Sequence, residues 1–150
     1  MTLEEQINAD IKTAMLAREK EKLEALRAIK SAVLLEKTKD GASGITRDAE
    51  LKLLQRLVKQ RKEAAEVYAS QNRAELADSE IFQANIIEKY LPAQMGNDEL
   101  VDILKKIIAE TGASSVKDMG KVMGIAAKQL AGKADNKAIS DNIKKLLSVN

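Results

Sequence analysis

Lys117, Lys121, Lys128 and Lys133 alternate with Gly120, Gly124 and Gly132 in SVKDMGKVMGIAAKQLAGKAD, residues 115–135, and no other stretch of the chain concentrates glycine and lysine in this way. Lysines are point charges that neutralise phosphates, and glycines remove side chains that would hold a backbone away from a ligand, so the chemistry this pattern suggests is phosphate contact. Lys117, Lys121 and Lys128 are spaced by four and seven, which puts them on one helical face. A solvated face accounts for such a row equally well. Gly120 and Gly124 each cost a helix about 1 kcal/mol relative to alanine, which implies either another helix packed against them or a backbone left bare for RNA.

The chemistry of catalysis is harder to find. The chain has no cysteine and no histidine, which removes thiol chemistry, disulfides, the usual general base and the commonest metal ligand. Phosphate-cradling glycine loops, nucleophile elbows and an amidase serine and lysine signature are also missing. Gly-Ala-Ser-Gly at 41–44 lacks the flanking strand and the lysine of a phosphate loop, and reads as a connector. Glu80 with Glu88, or Asp98 with Glu99, could pair as acid and base, but charged helix faces explain them more simply. No cofactor and no metal site are expected.

The elements that must position the lysines follow from apolar periodicity. Met119, Val122, Met123, Ala126, Ala127 and Leu130 mark one face of a helix opposite the lysines. Ser115 with Asp118 resembles a capping pair at its start, and Gly132-Lys133 is its stop. Before it, Asn97 is the expected cap of a helix with Leu100, Ile103, Leu104, Ile107 and Ile108 inward, ending at Thr111-Gly112. After it, Asp135 is the expected cap of a last helix with Ile139, Ile143, Leu146 and Leu147 inward. These three helices make a small bundle, residues 97–150.

Upstream, Thr2 and Glu5 form a capping box before Leu3, Ile7, Ile11, Ala14 and Met15. The charged run Arg18–Lys22 predicts a bend or tight connection to a second helix reaching about Lys37, with Leu23, Leu26, Ile29 and Val33 inward. Thr46 caps a third, whose stripe is Leu51, Leu54, Val58, Arg61, Ala65 and Tyr68. A fourth runs from about Arg73 to Leu91 with Leu76, Glu80, Ala84, Ile87 and Leu91 on one side. Arg61 and Glu80 intrude on apolar stripes, which suggests an interhelical ion pair that Arg27 could join; a pocket lined by these charges is the other reading. Leu91-Pro92 ends the helix, since the residue before proline leaves the α region. The expected architecture is all-α: a four-helix unit over residues 1–92, a linker at 93–96, then the three-helix bundle.

Charge is unevenly distributed along this plan. Residues 1–91 hold 16 basic and 16 acidic side chains, residues 92–116 hold 2 and 4, and residues 117–150 hold 7 and 3. The positive charge sits in the tail. Tyr68, Phe82 and Tyr90 are the only aromatics, too few for a platform that stacks single-stranded bases. Carboxylates where a signal peptide has lysines, and no apolar run of about 20 residues, point to the cytoplasm and away from membranes.

Lys117-Asp118-Met119-Gly120-Lys121-Val122-Met123, then Lys128-x-Leu130-x-Gly132-Lys133-Ala134-Asp135 and a terminal amphipathic helix, resemble the GatB/YqeY domain family. Leu26-Arg27 with Ile29-Lys30, Lys59-Gln60-Arg61-Lys62, Arg73-x-x-Leu76 and Tyr90-Leu91-Pro92 extend the likeness to the small free-standing YqeY-like proteins, over nearly the whole chain. The resemblance implies kinship with the GatB tail of the tRNA-dependent glutamyl/aspartyl-tRNA amidotransferase. It implies a carbon-nitrogen ligase label with glutamine as amido donor, inherited by a chain that lacks the catalytic body. By the same resemblance, Lys121, Lys128, Gly132 and Lys133 are candidate contacts to tRNA or another structured RNA, with Gly120 and Gly124 admitting close approach and Lys117 added by its shared face with Lys121 and Lys128. Asp135-Asn136 stands where the family often has Asn-Pro, which adds a negative charge near any phosphate. The competing class is a protein-binding adaptor that offers the bundle's apolar groove to a partner helix. DNA is not an expected partner.

Overall fold

A computed structural model describes residues 1–39 and 44–148. These residues include seven α helices and a 3-10 turn at Val116–Asp118, with no strand among them. The Gly-Ala-Ser-Gly connector lies, apart from Gly44, outside the described residues. The chain divides into two compact units, Met1–Pro92 and Ala93–Asn150.

In the first unit, α1 (Leu3–Leu16) starts at the capping box, where Thr2 Oγ1 accepts from Glu5 N–H at 3.2 Å and Glu5 Oε2 accepts from Thr2 N–H at 3.1 Å. After a connection of three residues, α2 (Lys20–Thr38) begins. That short connection places Arg18 at a φ of 57°, a left-handed conformation unusual for a side chain with a Cβ. The two helices run antiparallel, and Lys37 Nζ near the end of α2 meets Glu4 Oε2 at 2.9 Å near the start of α1.

Thr46 Oγ1 accepts from Ala49 N–H and starts α3 (Arg47–Ser70), which turns back through Asn72 into α4 (Ala74–Glu88). The α3 stripe of Leu51, Leu54, Val58 and Ala65 is buried, and so is Leu53, off that stripe. Helix α3 packs against both α2 and α4, so its apolar arc is wider than one stripe.

Helix α4 departs from expectation in two ways. It ends at Glu88; beyond it, Tyr90 N–H bonds Ile87 O and Leu91 N–H bonds Glu88 O, a tightened last turn forced by Pro92. Its buried line is Ala77, Ala84, Ile86 and Ile87, while Leu76 is 42% exposed. Small alanines are buried, and the larger Leu76, one position before Ala77, is exposed.

Arg61 Nη1 donates to Glu80 Oε2 at 3.3 Å, with the side chains 30% and 17% exposed. No charged residue is fully buried among the described residues, so these two lie at the edge of the core. Arg27 is exposed on α2 and takes no part in the pair.

The second unit comprises α5 (Asn97–Thr111), a 3-10 turn (Val116–Asp118), α6 (Met119–Gln129) and α7 (Asn136–Ser148) around one core that includes Leu104, Val122, Ala126, Ile139 and Ile143. The cap of α5 is Gly96, not Asn97: the Asn97 side-chain oxygen accepts from Asn142 Nδ2 of α7 at 3.1 Å and is not turned back on its own helix. Gly112 ends α5 with a φ of 70°. Among the described residues, no helix is long and apolar enough to cross a membrane.

Candidate nucleic-acid interface

The start of α6 sets the phase of its lysines. Ser115 Oγ accepts from Lys117 N–H at 3.3 Å, and Asp118 Oδ2 accepts from Ser114 N–H at 3.0 Å. These two local bonds close a 3-10 turn in which Asp118 caps backwards, and the α helix begins only at Met119. A 3-10 turn has three residues per turn, so Lys117 does not continue the helical row expected from its spacing to Lys121.

Within α6 the pattern is clean. At about 100° per residue, Gly120, Lys121, Gly124 and Lys128 fall within an arc of about 100°. All four are exposed, and the arc lies opposite buried Val122 and Ala126. A Cβ built on Gly120 or Gly124 would meet nothing within 4 Å. Among the described residues, then, no other helix packs on these two glycines, contrary to one of the two expectations.

The other end of α6 is tied down. Gly132 is buried in a left-handed conformation with a φ of 76°. Its carbonyl accepts from Gln94 Nε2 at 2.7 Å, and the next carbonyl, of Lys133, accepts from Met95 N–H at 2.9 Å. Residues 94 and 95 thus clamp the turn between α6 and α7. Gly132 shapes that turn and is buried, whereas Lys133 is exposed.

Among the described residues, none of Lys117, Lys121, Lys128, Lys133, Lys137, Lys144 and Lys145 forms an ion pair. The last three lie on α7 and are exposed, and the sequence motif did not single them out. Lys144 and Lys145 line a shallow cleft of about 380 Å³ with Asp141, Ser148 and Val116 of the 3-10 turn. Lys137 and Lys144, seven apart, carried a helical-spacing signal that could have found them.

The chain has counterparts among known proteins. A family model described as Yqey-like protein matches residues 4–147, and this chain belongs to that family. One curated relative is the altered inheritance of mitochondria protein 41, mitochondrial, of Pyrenophora tritici-repentis, 27% identical over 148 residues that span 94% of this chain and 78% of that protein.

Proposed function

We propose that this Yqey-like protein is an accessory module that binds structured RNA of the tRNA type through the phosphates, with no amidotransferase or glutaminase catalysis of its own. The observation that supports it is the α6 arc, where Lys121 and Lys128, without an ion pair among the described residues, stand beside Gly120 and Gly124, whose Cβ positions meet nothing within 4 Å. Phosphate contacts suit such a surface, since the shape of folded RNA can be followed without reading base edges. The kinship to the GatB tail of the amidotransferase and a cytoplasmic location belong to the same proposal.

Filter binding of tRNA to the full chain at several salt concentrations tests it. With about three phosphates neutralised, the logarithm of affinity falls against the logarithm of salt with a slope of about −2 to −3. Absence of salt-dependent affinity for tRNA overturns the reading and leaves the protein-binding adaptor in its place.

A further inference from the structure

Lys133 stands on the turn between α6 and α7, and three bonds to the backbone of that turn fix where its side chain leaves the chain. Its own N–H donates to Leu130 O at 2.9 Å, a bond internal to the turn. The other two come from the segment that precedes α5. Gln94 Nε2, 38 positions earlier, donates to Gly132 O at 2.7 Å, and Met95 N–H donates to Lys133 O at 2.9 Å. The peptide groups on both sides of the Lys133 Cα are thus held from outside the turn.

The turn has reason to need that support. Residues 130–135 belong to neither α6, which ends at Gln129, nor α7, which begins at Asn136. The chain reverses through Gly132 at a φ of 76°, and glycine has the most backbone freedom to lose when it is held in one conformation. Leu130 and Ala134 are buried in the core of the unit, and Met95 packs against the same core, so apolar contact seats that part of the clamp. Gln94 is exposed. Its side chain fills no core, and what it contributes to the turn is polar.

We propose that Gln94 is a positioning residue for Lys133: its bond holds the turn so that the lysine meets a phosphate already in place, and bound RNA tightens the bond in return. This rests on the RNA reading above. A turn that is already ordered costs nothing further on binding, whereas a loosened one lowers the apparent affinity by the fraction of molecules still in the competent form. Such coupling is reciprocal, so RNA favours the closed clamp by the factor by which the closed clamp favours RNA.

Gln94→Met in the full chain tests this, because it keeps the length of the side chain and removes the donor. One net hydrogen bond is worth about fivefold in an equilibrium, so the variant should bind tRNA about three- to fivefold more weakly than wild type. Its salt slope should match wild type, since Lys133 still reaches its phosphate in the complex, whereas Lys133→Ala flattens the slope. In the Lys133→Ala background, Gln94→Met should cost nothing further. A loss of the same size there would mean that Gln94 supports the unit as a whole, and overturns the proposal. The wild-type chain supplies a second measurement that does not depend on how the variant folds: with tRNA bound, the Met95 amide proton should exchange about threefold or more slowly. Unchanged Met95 exchange, or equal affinity of wild type and Gln94→Met, overturns the positioning role and leaves the RNA reading standing. No salt-dependent tRNA affinity in wild type overturns both.

Discussion

The Tyr90 hydroxyl donates a hydrogen bond to Asp10 Oδ2, joining the end of the first unit to its first helix across 80 positions of sequence. Burial holds the Tyr90 phenol above the usual tyrosine range, and the Asp10 hydrogen bond and negative charge push the same way. A group whose folded pKa is raised stabilises the fold fully below its unfolded value, about 10 for tyrosine, and loses that contribution as pH climbs above it. Denaturant melts should therefore show Tyr90→Phe less stable than wild type by about 1 to 2 kcal/mol at neutral pH, with the gap narrowing above about pH 10. A gap that is constant or widens with alkali would contradict this linkage.

Arg61 and Glu80 are partly exposed, which moderates what their pair is worth. Glu80→Gln should cost about 1 kcal/mol, near the upper end for exposed pairs and below the range for fully buried ones. Exposed Glu63 should cost close to nothing when changed to Gln. A double-mutant cycle with Arg61→Met isolates the coupling, and a value near zero would show that the pair contributes nothing.

Gly120→Ala and Gly124→Ala should each stabilise the second unit by about 0.4 to 1 kcal/mol, because both positions are helical and open and alanine restricts only the unfolded chain. Thermal melts check this. Gly124→Leu should weaken tRNA binding without changing its salt slope, whereas Lys121→Ala, Lys128→Ala and Lys133→Ala should each flatten the slope by about one unit and weaken binding to many RNAs alike. Lysine variants that bind as well as wild type would remove α6 from the interface.

Fragments test the separability of the units. A chain of residues 93–150 retains the Gln94 and Met95 bonds to Gly132 and Lys133, and one of residues 97–150 does not. At about 1 kcal/mol per net hydrogen bond, the shorter fragment should be less stable by about 2 kcal/mol. Limited proteolysis of the full chain should cut nearer Ala93 than Met95 for the same reason. Equal stability of the two fragments would mean the clamp is incidental.

Local signals were legible where one or two residues determine them. The Thr2 and Glu5 box, the Thr46 cap and the Gly112 stop are short-range chemistry, and the structure has each of them; the stop expected at Gly132 falls earlier, with α6 ending at Gln129. Asn97 misled because a side chain from α7, remote in sequence, takes its oxygen. Leu53 and Leu76 misled because periodicity locates one stripe but not how many neighbours a helix has, or whether alanine or leucine faces them. For the candidate interface, the lysines of α6 stood in a recognisable motif, but Lys144 and Lys145 meet Val116 only through tertiary packing. A cleft over Phe82 combines residues 19–22 with residues 82–89, remote in sequence, and no local pattern announces it.

The two bare glycines of α6 also bear on how often this segment opens. Relative to alanine they weaken the helix by about 2 kcal/mol together, which multiplies the population of locally unfolded α6 by about thirtyfold. Amide protons of residues 119–129 should therefore exchange by a shorter-lived protection than those of α7, and the lysines would be displayed on a segment that can reshape itself against an uneven polyanion before it settles.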